Sequence, residues 1–300
     1  MGQDGAIAPQ EIAGEGDATQ LVKLTSTSKD CFTNLYSESF RNNHLFGGQV
    51  VAQALAAAAT TTVEGRHCHS MHAYFLRAGS ASASVSFEVD RTRDGGRFST
   101  RRVVALQNDV PILHLECSFH LGERGLEHQV PSSVPVPEPE TIPDITALDP
   151  DKDQAALWGI IQNVQTFPLL DIRIVDQEFL LQPNPDANRR LWIRVPSAVN
   201  SDDPAVHQQL VAYISDFMLA GVALLPHPVK YRWPRTFMAS LDHAIWFHRS
   251  CRVDDWLLYD CDSPSTGDGR GIVRGQIKDR TGRLIATVMQ EALLRPDLTL

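Results

Sequence analysis

Two stretches of this chain are apolar nearly without interruption, and each is followed by the same order of strand-like segments. The longer covers residues 210–225, in which Asp216 is the only charged side chain. Asp202-Asp203-Pro204 supplies a cap and a proline suited to a first helical turn, and Pro226 stands at the far end, so the pattern predicts one helix that closes there. On a helical wheel Leu210, Ile214, Phe217 and Leu225 cover one side, while Ala212, Leu219, Ala220 and Ala223 flank Asp216 on the other. A helix with no polar face must be enclosed. Even an uncharged polar group left unpaired there costs about 2–7 kcal/mol, so Asp216 needs partners from elsewhere in the chain.

The second stretch, Gly47-Gly-Gln-Val-Val-Ala-Gln-Ala-Leu-Ala-Ala-Ala-Ala-Thr60, reads as a helix that is apolar nearly all round and carries no acid. Strand patterns follow it at 69–77, 85–91, 98–107 and 111–120, the last two joined through Asn108-Asp109, which suits a tight hairpin. A short strand is expected at 191–195. After the acid-bearing helix come strands at 236–249, 256–260, 271–278 and 283–294, with a turn at Arg280-Thr-Gly282.

The halves read as one unit used twice. Gln49 to Ala56 aligns with Gln209 to Asp216, Tyr74-Phe-Leu-Arg77 with Trp246-Phe-His-Arg249, and Gly96-Arg97 plus Arg101 with Gly269-Arg270 plus Arg274. Helix followed by antiparallel strands makes each half an α+β unit, over residues 21–120 and 190–300. Residues 121–150 interleave Pro131, Pro135, Pro137, Pro139, Pro143 and Pro150 with acids and serines, so 121–189 reads as a Pro-rich linker and weakly patterned connection. Residues 1–20 show no periodicity and read as a flexible lead-in, with order beginning near Leu21. In this pairing Ala56 takes the place of Asp216, so any chemistry of the acid belongs to the second half.

Composition narrows the choice of partners. The 300 residues are 43% hydrophobic and 21% charged, as in an ordinary globular protein. A net charge of -9, without any basic stripe, argues against nucleic acid. Five scattered cysteines without a paired spacing read as reduced thiols of an intracellular protein, and no apolar run reaches the ~20 residues of a bilayer span. The terminal Leu298-Thr-Leu300 is not a Ser-Lys-Leu address, which favours the cytoplasm slightly over the peroxisome.

Strand alternation supplies candidates to meet Asp216. It sets Met238, Ser240, Asp242, Ala244 and Trp246 on one face, and Leu284, Ala286, Val288, Gln290 and Ala292 on another. If each sheet wraps its helix, the Ser240 hydroxyl and the Gln290 amide can meet the carboxylate. Such a trio can take a proton from water and orient that water towards an activated carbonyl. From spacing alone, Ser240 and Gln290 read first as partners that satisfy a buried acid. Asp242 is a rival acid. No Gly-x-Ser-x-Gly elbow, phosphate-binding Gly-Lys loop, dinucleotide fingerprint or His-Glu-x-x-His zinc site is present. Arg77, Arg97, Arg101 and Arg249 are open both as phosphate contacts and as strand-edge charges.

Phe46-Gly-Gly-Gln-Val-Val-Ala-Gln-Ala-Leu55, His69-Ser-Met-His-Ala-Tyr-Phe-Leu-Arg77, Asp94-Gly-Gly-Arg-Phe-Ser99, Tyr213-Ile-Ser-Asp216, Leu241-Asp-His-Ala-Ile-Trp-Phe-His-Arg249 and Val288-Met-Gln-Glu291 together resemble the acyl-CoA thioesterase II (TesB-like) family, in order from about residue 21 to 295. The resemblance implies a double hotdog, two fused units each with a long helix wrapped by antiparallel strands. It implies acyl-CoA hydrolysis by an Asp, Thr or Ser, and Gln trio that falls on Asp216, Ser240 and Gln290, and favours Asp216 over Asp242. Ser240 keeps the hydroxyl where relatives often carry Thr. The first half has Ala56, Cys68 and Cys117 at the equivalent positions, so one site per chain is expected. Neither metal nor redox cofactor is implied. A homodimer or larger homo-oligomer is implied. In the mechanism read here a backbone N–H at a helix N-terminus receives the developing oxyanion, with Gly47 and Gly48 as the candidates. A pathway-specific thioesterase that releases a polyketide or other unusual acyl group and a catalytically weak acyl-CoA-binding protein stand as alternatives.

Overall fold

A computed structural model describes residues 9–12, 16–40, 43–131, 135–147, 155–231 and 235–297. The first half begins with strands β1 (Leu24–Ser28) and β2 (Cys31–Asn34), followed by helix α1 (Gly47–Thr60). Four strands come next: β3 (Arg66–Phe75), β4 (Ser86–Asp94), β5 (Phe98–Gln107) and β6 (Val110–Leu121). A helix α2 (Ala155–Gln165) precedes β7 (Asp171–Ile174) and β8 (Asn188–Arg194), which lead to helix α3 (Pro204–Ser215). The chain closes with β9 (Thr236–Ser240), β10 (Asp242–Phe247), β11 (Leu257–Gly267), β12 (Arg270–Asp279) and β13 (Leu284–Pro296).

All of these strands join one antiparallel sheet in the order β7-β8-β11-β12-β13-β10-β3-β6-β5-β4-β2-β1, with β9 paired to β13. The order is a palindrome about the β10–β3 seam, where His72 lies opposite Ala244. Each half wraps its own helix, which is the double hotdog. The two helices also pack on each other, and small residues let them approach: Ala54, Ala57 and Ala58 of α1 and Ala212 of α3 are fully buried. Around them Leu55, Leu210, Val211 and Ile214 are at most 1% exposed, each side chain worth about 1.5–3 kcal/mol of burial. The β5–β6 hairpin turns through Asn108 and Asp109, both at positive φ (49° and 62°), as its residues suggest.

Four expectations change. The acid-bearing helix stops at Ser215 rather than running to Leu225. Met218 adopts a left-handed φ of 55°, and the chain then turns through a short 3-10 segment at Ala220–Leu224. Periodicity alone would have continued the helix; the turn instead buries Phe217 and Leu219 together. The strand expected at 236–249 is broken at Leu241 into β9 and β10, because the Leu241 N–H and carbonyl reach Glu291 and Phe75 outside the regular ladder. The Pro-rich connection carries α2 and β7, so the second half of the sheet begins at Asp171. Ordered packing also starts upstream of Leu21: Gln10–Glu11 pairs with Tyr36–Ser37, and Ala18 is fully buried. The first eight residues lie outside those described.

Candidate active site

The early end of α3 places Asp216 at the helix C-cap instead of in mid-helix. From there its carboxylate faces the N-terminus of α1 in the other half. That N-terminus has Phe46 at the cap position, which offers no side-chain cap; Gln49 and Val50 N–H bond the Phe46 carbonyl, leaving the Gly47 and Gly48 N–H groups to face the acid. Gly48 N–H donates to the Asp216 carboxylate. The two glycines are there because nothing larger fits. A Cβ on Gly47 would lie 2.7 Å from Asp216 Oδ2, and one on Gly48 would lie 2.3 Å from the Tyr213 carbonyl oxygen.

Ser240 and Gln290 come in from the sheet. Gln290 is fully buried on β13, and its Nε2 donates to Ser240 Oγ at 2.8 Å. Ser240 Oγ donates to Asp216 Oδ1 at a long 3.4 Å, and Gln290 also bonds the carboxylate. All three sequence candidates therefore meet at one point. Asp242 does not. The break at Leu241 turns its side chain away from Asp216, and its Oδ1 accepts from the Glu291 N–H at 2.6 Å. The same break turns His243 inward. Its Nδ1 meets Gln290 Oε1 at 2.5 Å and its Nε2 meets Ser215 Oγ at 2.8 Å.

Burial drives the electrostatics. Asp216 is 9% exposed, and loss of water pushes its pKa up to about 7; hydrogen bonds from Gln290, Gly48 and Ser240 hold it from rising further. Burial pushes His243 down to about 4, opposed by its bond to Gln290. The pocket thus holds a carboxylate that exchanges its proton near neutrality beside a neutral imidazole. Aromatic rings close the surroundings: Phe46 meets Phe167 edge-on at 4.7 Å and Tyr213 at 5.4 Å, and Phe167 meets Phe217 at 5.0 Å. Phe75 lies beside Gly47.

The oxyanion expectation is altered for Gly48, whose N–H is committed to Asp216. Arg101 is not a phosphate contact. It is fully buried, donates to the Thr61 carbonyl and hydroxyl at the end of α1, and pairs with Asp94 at 2.7 Å. Sequence reasoning missed His243 and Phe167. His243 is invisible to strand parity unless the break at Leu241 is known, and Phe167 lies in the stretch read as connection.

The chain as a whole is similar to known proteins. The N-terminal domain model of acyl-CoA thioesterases matches residues 37–120, and the C-terminal domain model matches residues 139–294. The chain is 37% identical to acyl-coenzyme A thioesterase 8 of Homo sapiens, covering 96% of this chain and 95% of that one. It is 33% identical to acyl-CoA thioesterase 2 of Haemophilus influenzae, covering 86% and 90%. Among solved structures, an acyl-CoA thioesterase II of Mycobacterium marinum superposes with a TM-score of 0.77 at 35% identity, over 94% of this chain and 99% of that one.

Proposed function

The chain belongs to the acyl-CoA thioesterase family and is a thioester hydrolase that cleaves acyl-CoA; we propose that Asp216, Ser240 and Gln290 carry out this hydrolysis on a single water. The observation that carries the assignment is their convergence at the N-terminus of α1, where Gly48 N–H donates to Asp216. A carboxyl with a pKa near 7 is poised as a general base at physiological pH. It takes a proton from water held between it and the Ser240 and Gln290 side chains, and the hydroxide so formed attacks the thioester carbonyl. Charge then develops on the carbonyl oxygen. Gly47 N–H, which helix geometry leaves without an internal acceptor, is the donor we assign to it, with the α1 dipole behind it. As the tetrahedral intermediate collapses the C–S bond breaks, and the proton on Asp216 is available to the departing thiolate. The rings of Phe46, Phe75, Phe167 and Phe217 offer an apolar wall to the acyl chain.

Asp216→Asn keeps the shape and removes the basicity. Turnover of a medium-chain acyl-CoA, followed by free-thiol release, is expected to fall by about 10²–10⁴ while the fold survives thermal unfolding measurements. A variant that keeps more than about a tenth of wild-type turnover, against that 10²-fold minimum, sinks the assignment of Asp216 as base.

Among the described residues no helix is long and apolar enough to cross a membrane. We place the enzyme inside the cell, where its free cysteines stay reduced, and as a homo-oligomer. The support for assembly is the outer face of the β3–β10 seam, where Tyr74 is 53% exposed and His72 stacks edge-on against Trp246 at 5.1 Å. A monomer by light scattering at micromolar concentration removes that part of the proposal.

A further inference from the structure

His243 is wholly buried, contacts two trio-linked side chains, and has no part in the water chemistry above. Its bonds fix a direction. Gln290 Oε1 is a carbonyl oxygen and only accepts, so the proton on this edge sits on His243 Nδ1. A neutral ring then has Nε2 free to accept, and the Ser215 hydroxyl, 2.8 Å from Nε2 and 2.7 Å from the Ala212 carbonyl, turns its single proton to Nε2 in this arrangement. Ser215 is itself held at its backbone, where its carbonyl accepts from Tyr259 O–H at 2.5 Å. With Nδ1–H the donors run one way: Ser215 to His243, His243 to Gln290, Gln290 to Ser240, and Ser240 to Asp216.

The opposite arrangement satisfies the His243 end of the chain but not the Asp216 end. Ser215 Oγ also lies 2.7 Å from the Ala212 carbonyl and can donate there, which makes Nε2–H the donor to Ser215. Nδ1 would then accept from the Gln290 amide nitrogen, and the Gln290 carbonyl would face Ser240 and Asp216. That leaves lone pairs against the carboxylate and no amide donor for it. The two arrangements differ in the Ser215 hydroxyl rotor, the imidazole tautomer and which end of the Gln290 amide faces the acid, and the tautomer links the three.

Resting on the trio assignment above, we propose that His243 is a positioning residue: its Nδ1–H holds the Gln290 carbonyl, and thereby turns the Gln290 amide N–H groups towards Ser240, Asp216 and the water. It touches neither substrate nor water and acts only through Gln290.

Two measurements test it. In wild-type enzyme with 15N-labelled histidine, the buried neutral ring is expected as the Nδ1–H tautomer, uncommon for free histidine; an Nε2–H tautomer overturns the proposal whatever any variant does. In kinetics His243→Leu, which fills a similar volume without a donor, is expected to lower kcat about 10²-fold with KM changed far less, the scale of a misplaced reacting group. His243→Asn, which restores an N–H on this edge, is expected to recover much of that loss. In a Gln290→Ala background His243→Leu is expected to lower kcat no further, and an additional loss there overturns action through Gln290. Wild-type kcat in a folded His243→Leu, beside an inactive Asp216→Asn, overturns the positioning role alone. An active Asp216→Asn overturns the trio instead.

Discussion

The two ends of the paired helices are built alike and furnished differently. At one end the N-terminus of α1 meets the C-terminus of α3, and four inward positions are Asp216, Ser240, His243 and Gln290. At the other end the same positions are Ala56, Cys68, Met71 and Cys117, and all four are buried. The register supports the match, since Met71 lies opposite Cys117 across β3 and β6. The helix N-termini differ in the same sense. Asp203 caps α3, accepting from Ala205 N–H at 2.9 Å, so its positive end is already satisfied. Where α1 presents Gly48, the aligned α3 position is Gln208, whose amide takes both the N–H and the carbonyl of Cys68, at 3.1 and 2.8 Å. One end sets a costly buried acid against a helix terminus that has no side-chain cap of its own. The other turns the same geometry into a joint. The polar residues come as a set because any one of them alone would be an unpaired buried group.

The contrast predicts opposite responses to mutation. The largest concerns what the acid costs the fold. The Asp216 pKa is raised from 3.8 in the unfolded chain to about 7, so the folded protein holds this proton more tightly than the unfolded chain does. Stability from this group is therefore greatest below about pH 4, falls as pH rises between those values, and stays low above 7. Over that window the change amounts to up to about 4 kcal/mol, at about 1.4 kcal/mol per pH unit. Asp216→Asn removes the dependence, so denaturant unfolding at pH 8 should find the variant at least as stable as wild type. A clear loss of stability there breaks the picture of a strained active end.

Next, Gly47→Ala drives a methyl into Asp216 Oδ2 and the Phe75 ring, and turnover should fall about 10²-fold for a carboxylate displaced by roughly 1 Å. Near wild-type turnover would mean that the carboxylate need not sit against α1. The smallest effect lies at the closed end. Gln208→Ala leaves two β3 backbone groups unpaired and should cost about 1–3 kcal/mol of stability without changing kcat. A kcat loss there, at unchanged stability, would give the closed end a share in the reaction.

Much of this contrast is legible in the sequence, for particular physical reasons. Asp216 stands out because a charge in an apolar stretch demands partners. The duplication is visible because both halves repeat helix and strands in one order, and α1 matches its pattern from end to end. Parity also brings Ser240 and Gln290 inward. It fails one residue past Ser240, where the break at Leu241 exchanges Asp242 for His243. That break depends on pairing with Glu291 and Phe75, far away in sequence. The stop of α3 at Ser215 is likewise a tertiary effect, because residues 217–225 keep a helical pattern while their burial is better served by a turn. The glycines at 47 and 48 look like ordinary helix-start residues until Asp216 and Tyr213 are seen pressed against them.

The most direct test of the central claim is the pH dependence of kcat/KM for acyl-CoA hydrolysis by the wild type and Asp216→Asn, measured side by side. The account predicts that wild-type kcat/KM rises with pH to a plateau, with an apparent pKa near 7 set by the buried Asp216 carboxyl. It also predicts that the variant loses this limb together with at least about 10² of its rate. A wild-type profile flat from about pH 5 to 8, or a limb near 7 that persists in Asp216→Asn, would contradict it.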